Sequence, residues 1–375
     1  MVLLIGNYSP DQQQSMQRFN AMMLQGLTAA GIAAELIRPE AIFGRFGLLG
    51  RFIAKWLGYI DKFLFFPGQL KRKLREQPAV VHVCDHSSAV YVRRCKVAPV
   101  LVTCHDLLAV RGGLGEQTDC PASLTGKILQ RWILGGLRAA DHVACISKAT
   151  ALDAERLITR GSDRPRISVV YMGLSYPYRK LPRDLAVARL AGISGLDIDL
   201  PFVLHVGSNE RRKNRDGVLR IFARCQKQWN GQLVFAGDLL SAALITKAKT
   251  LGLLDRIVQL KNPHNELLEA LYNCATALLY PSRFEGFGWP VIEAQASGCP
   301  VVCSNSGPLP EAAGDAGLFH RADDEEGFAT DLLQLTDPMQ RDYWSKKSLR
   351  NAQRFSAEKM IAQYIDIYQQ LNVKL

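Results

Sequence analysis

The residues best suited to chemistry lie in one stretch, 281–294, which reads PSRFEGFGWPVIEA. An apolar strand is expected just before it. Pro290 predicts the first turn of a helix, because the N–H that proline lacks would have no partner there. The loop then presents the amides of Gly286, Phe287 and Gly288 at the positive end of that helix, where phosphate groups bind. The sequence therefore predicts a phosphate site.

Two glutamates accompany this loop. Glu285 directly precedes the predicted helix, Glu293 lies one turn inside it, and seven residues separate them. One alternative is that Glu285 caps the helix and Glu293 is a solvated surface acid. The longer pattern around the pair instead favours a catalytic site, with both carboxylates facing one cleft.

The pattern resembles the retaining glycosyltransferases of family 4, which have the GT-B fold and carry two glutamates at this spacing. Two further stretches occur in the family's order, HVGSNERRKN at 205–214 and TCHDL at 103–107. The resemblance implies an α/β protein of two doubly wound, Rossmann-like domains with the sugar nucleotide in the cleft between them. It is strong over about 200–315, fair over 80–175 and weak before that.

The resemblance also implies roles for the carboxylates. Glu285 would position the hydroxyls of the donor sugar and support the positive charge that develops on it. Glu293 would hold the ribose hydroxyls. His105 would hydrogen-bond the transferred sugar from the N-terminal domain. The family transfers sugars with retention of configuration, and neither a metal nor another cofactor is expected.

The donor diphosphate would be held by Arg212, Lys213 and the amides of 286–288, because cations and N–H groups offset the charge of a leaving phosphate. The chain departs from the family pattern at two places. Ser208 follows the glycine where many members have arginine, which leaves open whether Arg212 replaces that contact. The loop 7–15 lacks the family's double glycine, so no residue in it is assigned a role.

Alternating apolar runs predict two successive α/β domains. The predicted strands are 1–6, 79–84, 100–103, 142–146 and 167–170, and then 202–206, 232–236, 256–260, 277–280 and 300–303. A proline-bearing linker is expected over 174–201. The domains are expected at 1–175 and 200–350, with a last helix, about 356–375, packing back on the first.

Positive charge is concentrated in one segment. The chain has 46 Lys and Arg and 35 Asp and Glu, a net charge of +11, and the stretch 45–75 alone has eight cations and one acid, 8 − 1 = +7. Apolar residues recur at helical spacing over 49–64, and the opposite face carries Arg51, Lys55, Asp61 and Lys62. A basic amphipathic helix with Trp and Phe predicts contact with an anionic membrane surface. The alternative is a helix packed on its own domain.

The composition narrows the class of protein. An apolar fraction of 48% is that of a globular chain rather than a disordered one. No uncharged apolar run approaches the roughly 18–20 residues that span a bilayer. The N-terminus lacks the features of a secretory signal, and the nine cysteines form no C-x-x-C pair. We therefore expect a cytoplasmic protein, peripheral on the inner face of the membrane. No nucleic-acid-binding motif is present.

The sequence contains two candidate metal sites. The acidic run 323–326 could bind a cation, but a solvated helix start is the simpler interpretation. His82 and His86 are four residues apart, the helical spacing of paired ligands. On a strand that spacing separates them by roughly 13 Å, too far to share a metal.

The expected function is the transfer of a hexose, such as mannose, from a GDP- or UDP-linked donor to a glycan or lipid-linked acceptor. Such a reaction belongs to cell-surface polysaccharide or glycolipid assembly. Two alternatives remain open at this point. One is a non-hydrolysing sugar-nucleotide epimerase of the same architecture, and the other is a catalytically silent scaffold.

Overall fold

The computed structural model describes residues 1–11, 13–43, 51–159 and 165–371, with the backbone alone over 51–55. The predicted membrane-contacting positions Arg45 and Leu49 lie outside the described residues, as do the side chains of 51–55. The chain divides into two compact units. Unit 1 is Met1–Ser175 with Ala357–Leu375, and unit 2 is Tyr176–Ser356.

Unit 1 is built on a parallel sheet of six strands in the order β2-β1-β3-β4-β5-β6. The strands are β1 (Val2–Ile5), β2 (Ala34–Ile37), β3 (Val80–Val83), β4 (Val100–Cys104), β5 (His142–Cys145) and β6 (Arg166–Val169). The strand β1 is fully buried, as expected for a parallel sheet covered on both faces. The strand order reverses between β1 and β3, which is where such sheets bind ligands.

The helices of unit 1 follow the strands in the usual alternation. They are α1 (Gln14–Ala29), α2 (Arg51–Ile60), α3 (Phe66–Leu74), α4 (Leu108–Gly113), α5 (Leu124–Leu137) and α6 (Lys148–Ile158), with a 3-10 helix at His86–Arg94. A π-helical turn, Asp61–Phe65, joins α2 to α3. Among the described residues, no helix is both long and apolar enough to cross a membrane.

Unit 2 has a second parallel sheet, in the order β12-β11-β10-β7-β8-β9. Its strands are β7 (Phe202–Gly207), β8 (Gln232–Gly237), β9 (Ile257–Lys261), β10 (Ala277–Tyr280), β11 (Val301–Ser304) and β12 (Gly317–His320). Its helices are α7 (Arg183–Leu190), α8 (Arg215–Cys225), α9 (Ala242–Thr250), α10 (Asn265–Cys274), α11 (Trp289–Ala296), α12 (Leu309–Ala313), α13 (Glu325–Gln334) and α14 (Pro338–Ala352).

The last helix, α15 (Ala357–Gln370), belongs to unit 1. A buried polar chain attaches it there. The Nδ1 atom of His82 lies 2.7 Å from the hydroxyl of Tyr368, and its Nε2 lies 2.8 Å from Oγ1 of Thr103. Thr103 in turn lies 2.9 Å from the hydroxyl of Tyr364. The buried imidazole is thus satisfied at both ring nitrogens by strand β4 and helix α15.

The two-sheet α/β class predicted from the sequence is confirmed, and three local predictions need correction. The stretch 174–201 predicted as a linker contains α7, which packs on α10 through Arg189 and the buried Glu269, 2.8 Å apart. The strands β2 and β12 were not predicted, because their residues are only half-buried and their apolar pattern is correspondingly weak.

The third correction concerns Asp61, which was expected on the solvated polar face of its helix. It is 1% exposed and accepts hydrogen bonds from the Tyr8 hydroxyl at 2.6 Å and from the amide of Phe43 at 3.0 Å. Its hydrogen-bond donors come from segments outside the helix, which a helical pattern does not reveal.

Candidate active site

The phosphate-binding loop predicted at 281–288 lies between β10 and α11. Gly288 occupies the N-cap of α11 with φ of 111°, a left-handed conformation that favours glycine. A Cβ atom there would also lie only 2.7 Å from Cδ2 of Leu309. The side chain of Phe287 is buried against Phe355, with ring centroids 5.6 Å apart. Phe287 is therefore held by its ring, and only its backbone is available to a ligand.

Glu285 lies in this loop, is 5% exposed, and is held by two cations. The Nζ atom of Lys213 donates to its Oε1 at 2.8 Å, and Nη1 of Arg212 donates to its Oε2 at 2.8 Å. Lys213 also donates to the Tyr280 hydroxyl at 2.7 Å. We call Glu285, Lys213 and Arg212 the Glu285 cluster. It joins the two stretches that the sequence singled out separately.

In the Glu285 cluster, two cations face a single buried carboxylate. Burial would raise the pKa of Glu285, but Lys213 and Arg212 outweigh it and hold that pKa below its usual value. Burial lowers the pKa of Lys213, and the carboxylate of Glu285 offsets part of that effect. Glu285 is therefore ionised at neutral pH. Lys213 and Arg212 are of the type that binds a diphosphate through charge-assisted hydrogen bonds.

The loop after β7 explains how Lys213 reaches Glu285. A Cβ atom on Gly207 would lie 3.3 Å from Cδ of Lys213, so glycine there leaves room for the lysine stem. The amide of Arg283 donates to the carbonyl of Arg212 at 2.7 Å and ties this loop to the one after β10. Nη2 of Arg212 also pairs with Oε2 of the exposed Glu210 at 2.7 Å.

Sequence reasoning missed Arg215, which is 3% exposed beneath the same loop. Its Nη1 donates to Oδ1 of Asn209 at 2.9 Å and to the carbonyl of Asp238 at 2.7 Å. Burial lowers its pKa to about 10. Arg215 therefore stabilises the loop backbone that includes Ser208. The sequence indicated Arg215 only by its position, as a cation two residues after Lys213.

Glu293 lies on α11 and is 3% exposed. The hydroxyl of Tyr272 donates to its Oε2 at 2.9 Å, and the Tyr272 ring contacts that of Tyr178. Glu293 is thus not a solvated surface acid, and α11 has no side-chain N-cap, so Glu285 does not cap it. The structure therefore contradicts the alternative in which Glu285 caps the helix and Glu293 is a solvated surface acid.

In unit 1, His105 follows β4 and is 3% exposed. Its Nε2 lies 2.9 Å from the carbonyl of Cys84, and the ring of Phe19 meets it edge-on, with centroids 5.0 Å apart. Burial lowers the pKa of His105, which keeps the imidazole neutral at pH 7. A neutral imidazole suits the hydrogen-bonding role that the sequence predicted.

A second polar group at this edge of unit 1 was not predicted. Asp85 lies two residues after β3 and is 2% exposed. It accepts a hydrogen bond from Nδ2 of Asn7 at 2.5 Å and lies 3.0 Å from Nδ1 of His86. Burial raises its pKa, but His86 outweighs that effect and holds the pKa well below its usual range. We call Asn7, Asp85 and His86 the Asp85 cluster. It lies beside the β1–β3 switch point and includes one residue of the atypical loop 7–15.

The alternative metal sites are not supported. Asp323 pairs with the exposed Arg321, and Asp324 caps α13 by accepting from the amide of Gly327 at 3.0 Å. Within the described ranges, no group of three or more His, Cys, Asp or Glu side chains is placed to hold a metal ion.

Comparison with solved structures identifies the fold as GT-B. The structure superposes on sucrose-phosphate synthase from Thermosynechococcus elongatus with a TM-score of 0.77 at 20% identity, covering 99% of this chain and 98% of that one. It superposes on Anabaena HepE in complex with UDP and glucose with a TM-score of 0.74 at 16% identity, covering 98% and 99%.

Two family models match the chain in succession. Residues 16–175 match Glycosyltransferase Family 4, and residues 189–350 match Glycosyl transferases group 1. Together the two glycosyltransferase models match most of the chain, whose fold is GT-B. It is 34% identical over 178 residues to the O-antigen chain mannosyltransferase B of Escherichia coli, covering 45% of this chain and 46% of that relative. The chain spans about half the length of the curated relatives it matches.

Proposed function

We propose that the protein is a retaining, metal-independent glycosyltransferase. It transfers a hexose from a nucleoside-diphosphate sugar to a glycan or lipid-linked acceptor in cell-surface polysaccharide or glycolipid assembly. The observation that carries this proposal is the Glu285 cluster, in which a buried, ionised carboxylate holds two cations beside a glycine loop at a helix N-terminus. The two glycosyltransferase domain matches and the mannosyltransferase relative support it.

The cluster suits the charge changes of glycosyl transfer. As the bond from the anomeric carbon to the diphosphate breaks, negative charge grows on the leaving group and positive charge on the sugar. Lys213, Arg212 and the amides of 286–288 would stabilise the diphosphate. The carboxylate of Glu285 would position the sugar hydroxyls and stabilise the sugar cation.

Retention follows from attack on the same face. The acceptor oxygen bonds to the anomeric carbon on the side that the diphosphate leaves, and its proton passes to the departing diphosphate oxygen. Glu293 would hold the ribose hydroxyls, and His105 would hydrogen-bond the transferred sugar. This route needs neither a metal ion nor a protein base.

The donor is tested by a thermal-shift screen with UDP, GDP and ADP, each with and without an attached hexose. UDP-hexoses are suggested by the UDP-bound structural neighbour, and GDP-mannose by the mannosyltransferase relative. A ligand of the native state raises apparent stability by RT ln(1 + [L]/Kd). If no nucleoside diphosphate raises the melting temperature, the donor-site proposal is wrong.

The reaction products distinguish the proposed transferase from the epimerase and from the silent scaffold. An epimerase would convert a sugar nucleotide to its epimer with no acceptor present, whereas a transferase would release nucleoside diphosphate by slow transfer to water. A silent scaffold would do neither. The intact pair of Glu285 and Lys213 favours the transferase, since a scaffold has no need of a buried ion pair that is costly to desolvate.

The membrane part of the proposal rests on the basic stretch 45–75. Its single acid, Asp61, is buried, so the exposed charge of the described part of this stretch is cationic. Lys62 is less available than its sequence position suggested, because it pairs with Asp11 at 3.0 Å. We propose that this stretch places the protein on the cytoplasmic face of an anionic membrane, close to a lipid-linked acceptor.

A further inference from the structure

The surface of unit 1 carries two stripes of exposed apolar side chains. The first consists of Trp56, Ile60 and Leu64, which are 50%, 38% and 71% exposed. The second consists of Leu124, Ile128 and Trp132 on α5, which are 81%, 67% and 43% exposed. In each stripe the residues are four apart. We call these six residues the docking surface.

The two stripes are neighbours. Phe63 lies between Ile60 and Leu64 in the sequence. Its ring packs on that of Trp132, with centroids 5.2 Å apart. Tyr59 extends the contact, with its ring centroid 5.7 Å from that of Phe63. The stripes therefore belong to one surface. Large exposed apolar side chains grouped in this way mark an interaction site, because single ones are usually scattered.

The charged residues of α5 are all positive. Lys127 and Arg131 lie on α5 between the exposed apolar positions, and the sequence from Ser123 to Arg138 contains no acid. Among the described residues, neither Lys127 nor Arg131 forms an ion pair with a carboxylate. Apolar side chains that include tryptophan, together with unneutralised cations, fit the headgroup layer of an anionic bilayer.

We propose that unit 1 docks on an anionic bilayer through this surface, with α5 as a membrane-contacting helix beside the stretch 45–75. The inference deepens the membrane part of the proposed function. A second copy of the chain is a poorer occupant, because a two-fold interface would place each cation of α5 opposite a surface with the same positive charge. Anionic headgroups would neutralise Lys127 and Arg131, while Leu124 and Ile128 enter the apolar layer.

The test is sedimentation of the full chain with vesicles of phosphatidylglycerol and phosphatidylcholine at low salt, and with phosphatidylcholine alone. We expect wild type to bind the mixed vesicles. The variant Leu124→Ser with Ile128→Ser, and separately Lys127→Glu with Arg131→Glu, should each lower the apparent affinity about tenfold or more. The charge variant should also show a weaker salt dependence than wild type, with the remainder due to the cations of 45–75.

Matched controls separate the surface from general effects. Leu152→Ser removes a leucine of α6 that is 67% exposed and has the acidic Asp153 next to it in sequence. Lys247→Glu with Lys249→Glu reverses two charges on α9 of unit 2. Both controls should bind vesicles as wild type does. Because the substituted side chains are exposed or half-buried, melting temperatures should stay within a few degrees of wild type.

The possible failures are distinguishable. If both α5 variants bind mixed vesicles as tightly as wild type, the inference about α5 is wrong, even if the stretch 45–75 binds lipid. If wild type does not bind mixed vesicles, the whole membrane proposal is wrong. If wild type is dimeric and Leu124→Ser with Ile128→Ser makes it monomeric without affecting vesicle binding, the surface is a self-interface and the inference is overturned. Thermal shifts with nucleoside diphosphates in the same variants judge the donor site independently.

Discussion

The Glu285 cluster of unit 2 and the Asp85 cluster of unit 1 are both buried, but the chain assembles them differently. The Glu285 cluster joins two compact sequence stretches, each with several chemically distinctive residues. The Asp85 cluster joins one residue, Asn7, to the adjacent pair Asp85 and His86, 78 residues further along the chain, and neither stretch forms a distinctive motif. A site can be predicted from sequence when its residues occur in short, distinctive stretches. It cannot be predicted when ordinary residues meet only because the sheet brings their loops together.

The clusters also differ in charge. In unit 2, Lys213 and Arg212 both pair with Glu285, and the exposed Glu210 also pairs with Arg212, so an anionic ligand would meet two cations that Glu285 already holds in place. In unit 1, Asp85 faces Asn7 and His86, and the cation of this cluster is the titratable imidazole of His86, whose pKa burial lowers but Asp85 raises by more. This difference is what a phosphate-binding domain and a hydroxyl-binding domain would require.

The largest effect is expected from Glu285→Gln. Turnover of the donor found in the thermal-shift screen should fall by roughly 10²-fold or more, because the carboxylate acts on charge that develops in the transition state. Binding of free nucleoside diphosphate should become tighter, because Lys213 and Arg212 lose the carboxylate that neutralises them. Steady-state kinetics and calorimetric titration measure the two effects.

The control for this variant is Glu210→Gln. Glu210 also pairs with Arg212, at 2.7 Å, but its side chain is 58% exposed, so its removal should change neither quantity much. If Glu285→Gln keeps nearly wild-type kcat, the active site is not at the Glu285 cluster.

The second prediction compares the loss in the free energy of unfolding when each of two ion-paired lysines is replaced. Lys213→Ala should lower the free energy of unfolding by about 3 kcal/mol and weaken nucleoside diphosphate binding, because it removes one partner of a buried ion pair. Lys62→Ala in unit 1 should cost about 1 kcal/mol or less, since its partner Asp11 is 42% exposed. Urea denaturation measures both values. Equal losses would show that the burial of Glu285 does not set the strength of its ion pair.

The sequence predicted the fold class and the residues of the Glu285 cluster, for identifiable reasons. Continuous apolar strands mark a buried parallel sheet, and the glycine loop before Pro290 marks a helix N-terminus. The burial of Asp61 was not predictable, because its hydrogen-bond donors Tyr8 and Phe43 lie in segments outside the helix. Arg215 was missed for a related reason, since nothing in the sequence tells a buried, loop-supporting arginine from a solvated one.

The third prediction concerns one buried histidine in each unit. Burial lowers the pKa of His82 in unit 1 and of His205 in unit 2 to about 3 each. As pH falls through about 6.5, the unfolded chain takes up protons that the folded chain does not. The stabilisation is therefore complete above about pH 6.5 and is lost progressively between there and about pH 3.

Each histidine should account for about 2 kcal/mol of the stability lost between about pH 7 and about pH 5. In His82→Asn and His205→Asn that pH-dependent loss should shrink by this amount, whatever the stability of each variant at pH 7. Urea denaturation at the two pH values measures it. A variant with an unchanged pH dependence would mean that its histidine is protonated in the folded state.

The smallest effect concerns the Tyr8–Asp61 hydrogen bond in unit 1. Tyr8→Phe keeps the ring, which is 4% exposed, and removes only the hydroxyl that donates to Oδ2 of Asp61 at 2.6 Å. Hydrogen bonds to charged groups contribute about 1.5–3 kcal/mol, and the amides of Ile42 and Phe43 still donate to this carboxylate, so the expected loss is near 1.5 kcal/mol. Nucleoside diphosphate binding should not change, because no residue of the Glu285 cluster is involved. A weaker nucleoside diphosphate affinity in Tyr8→Phe would show that the loop 7–15 contributes to the donor site, and the separation of roles between the two units would then be wrong.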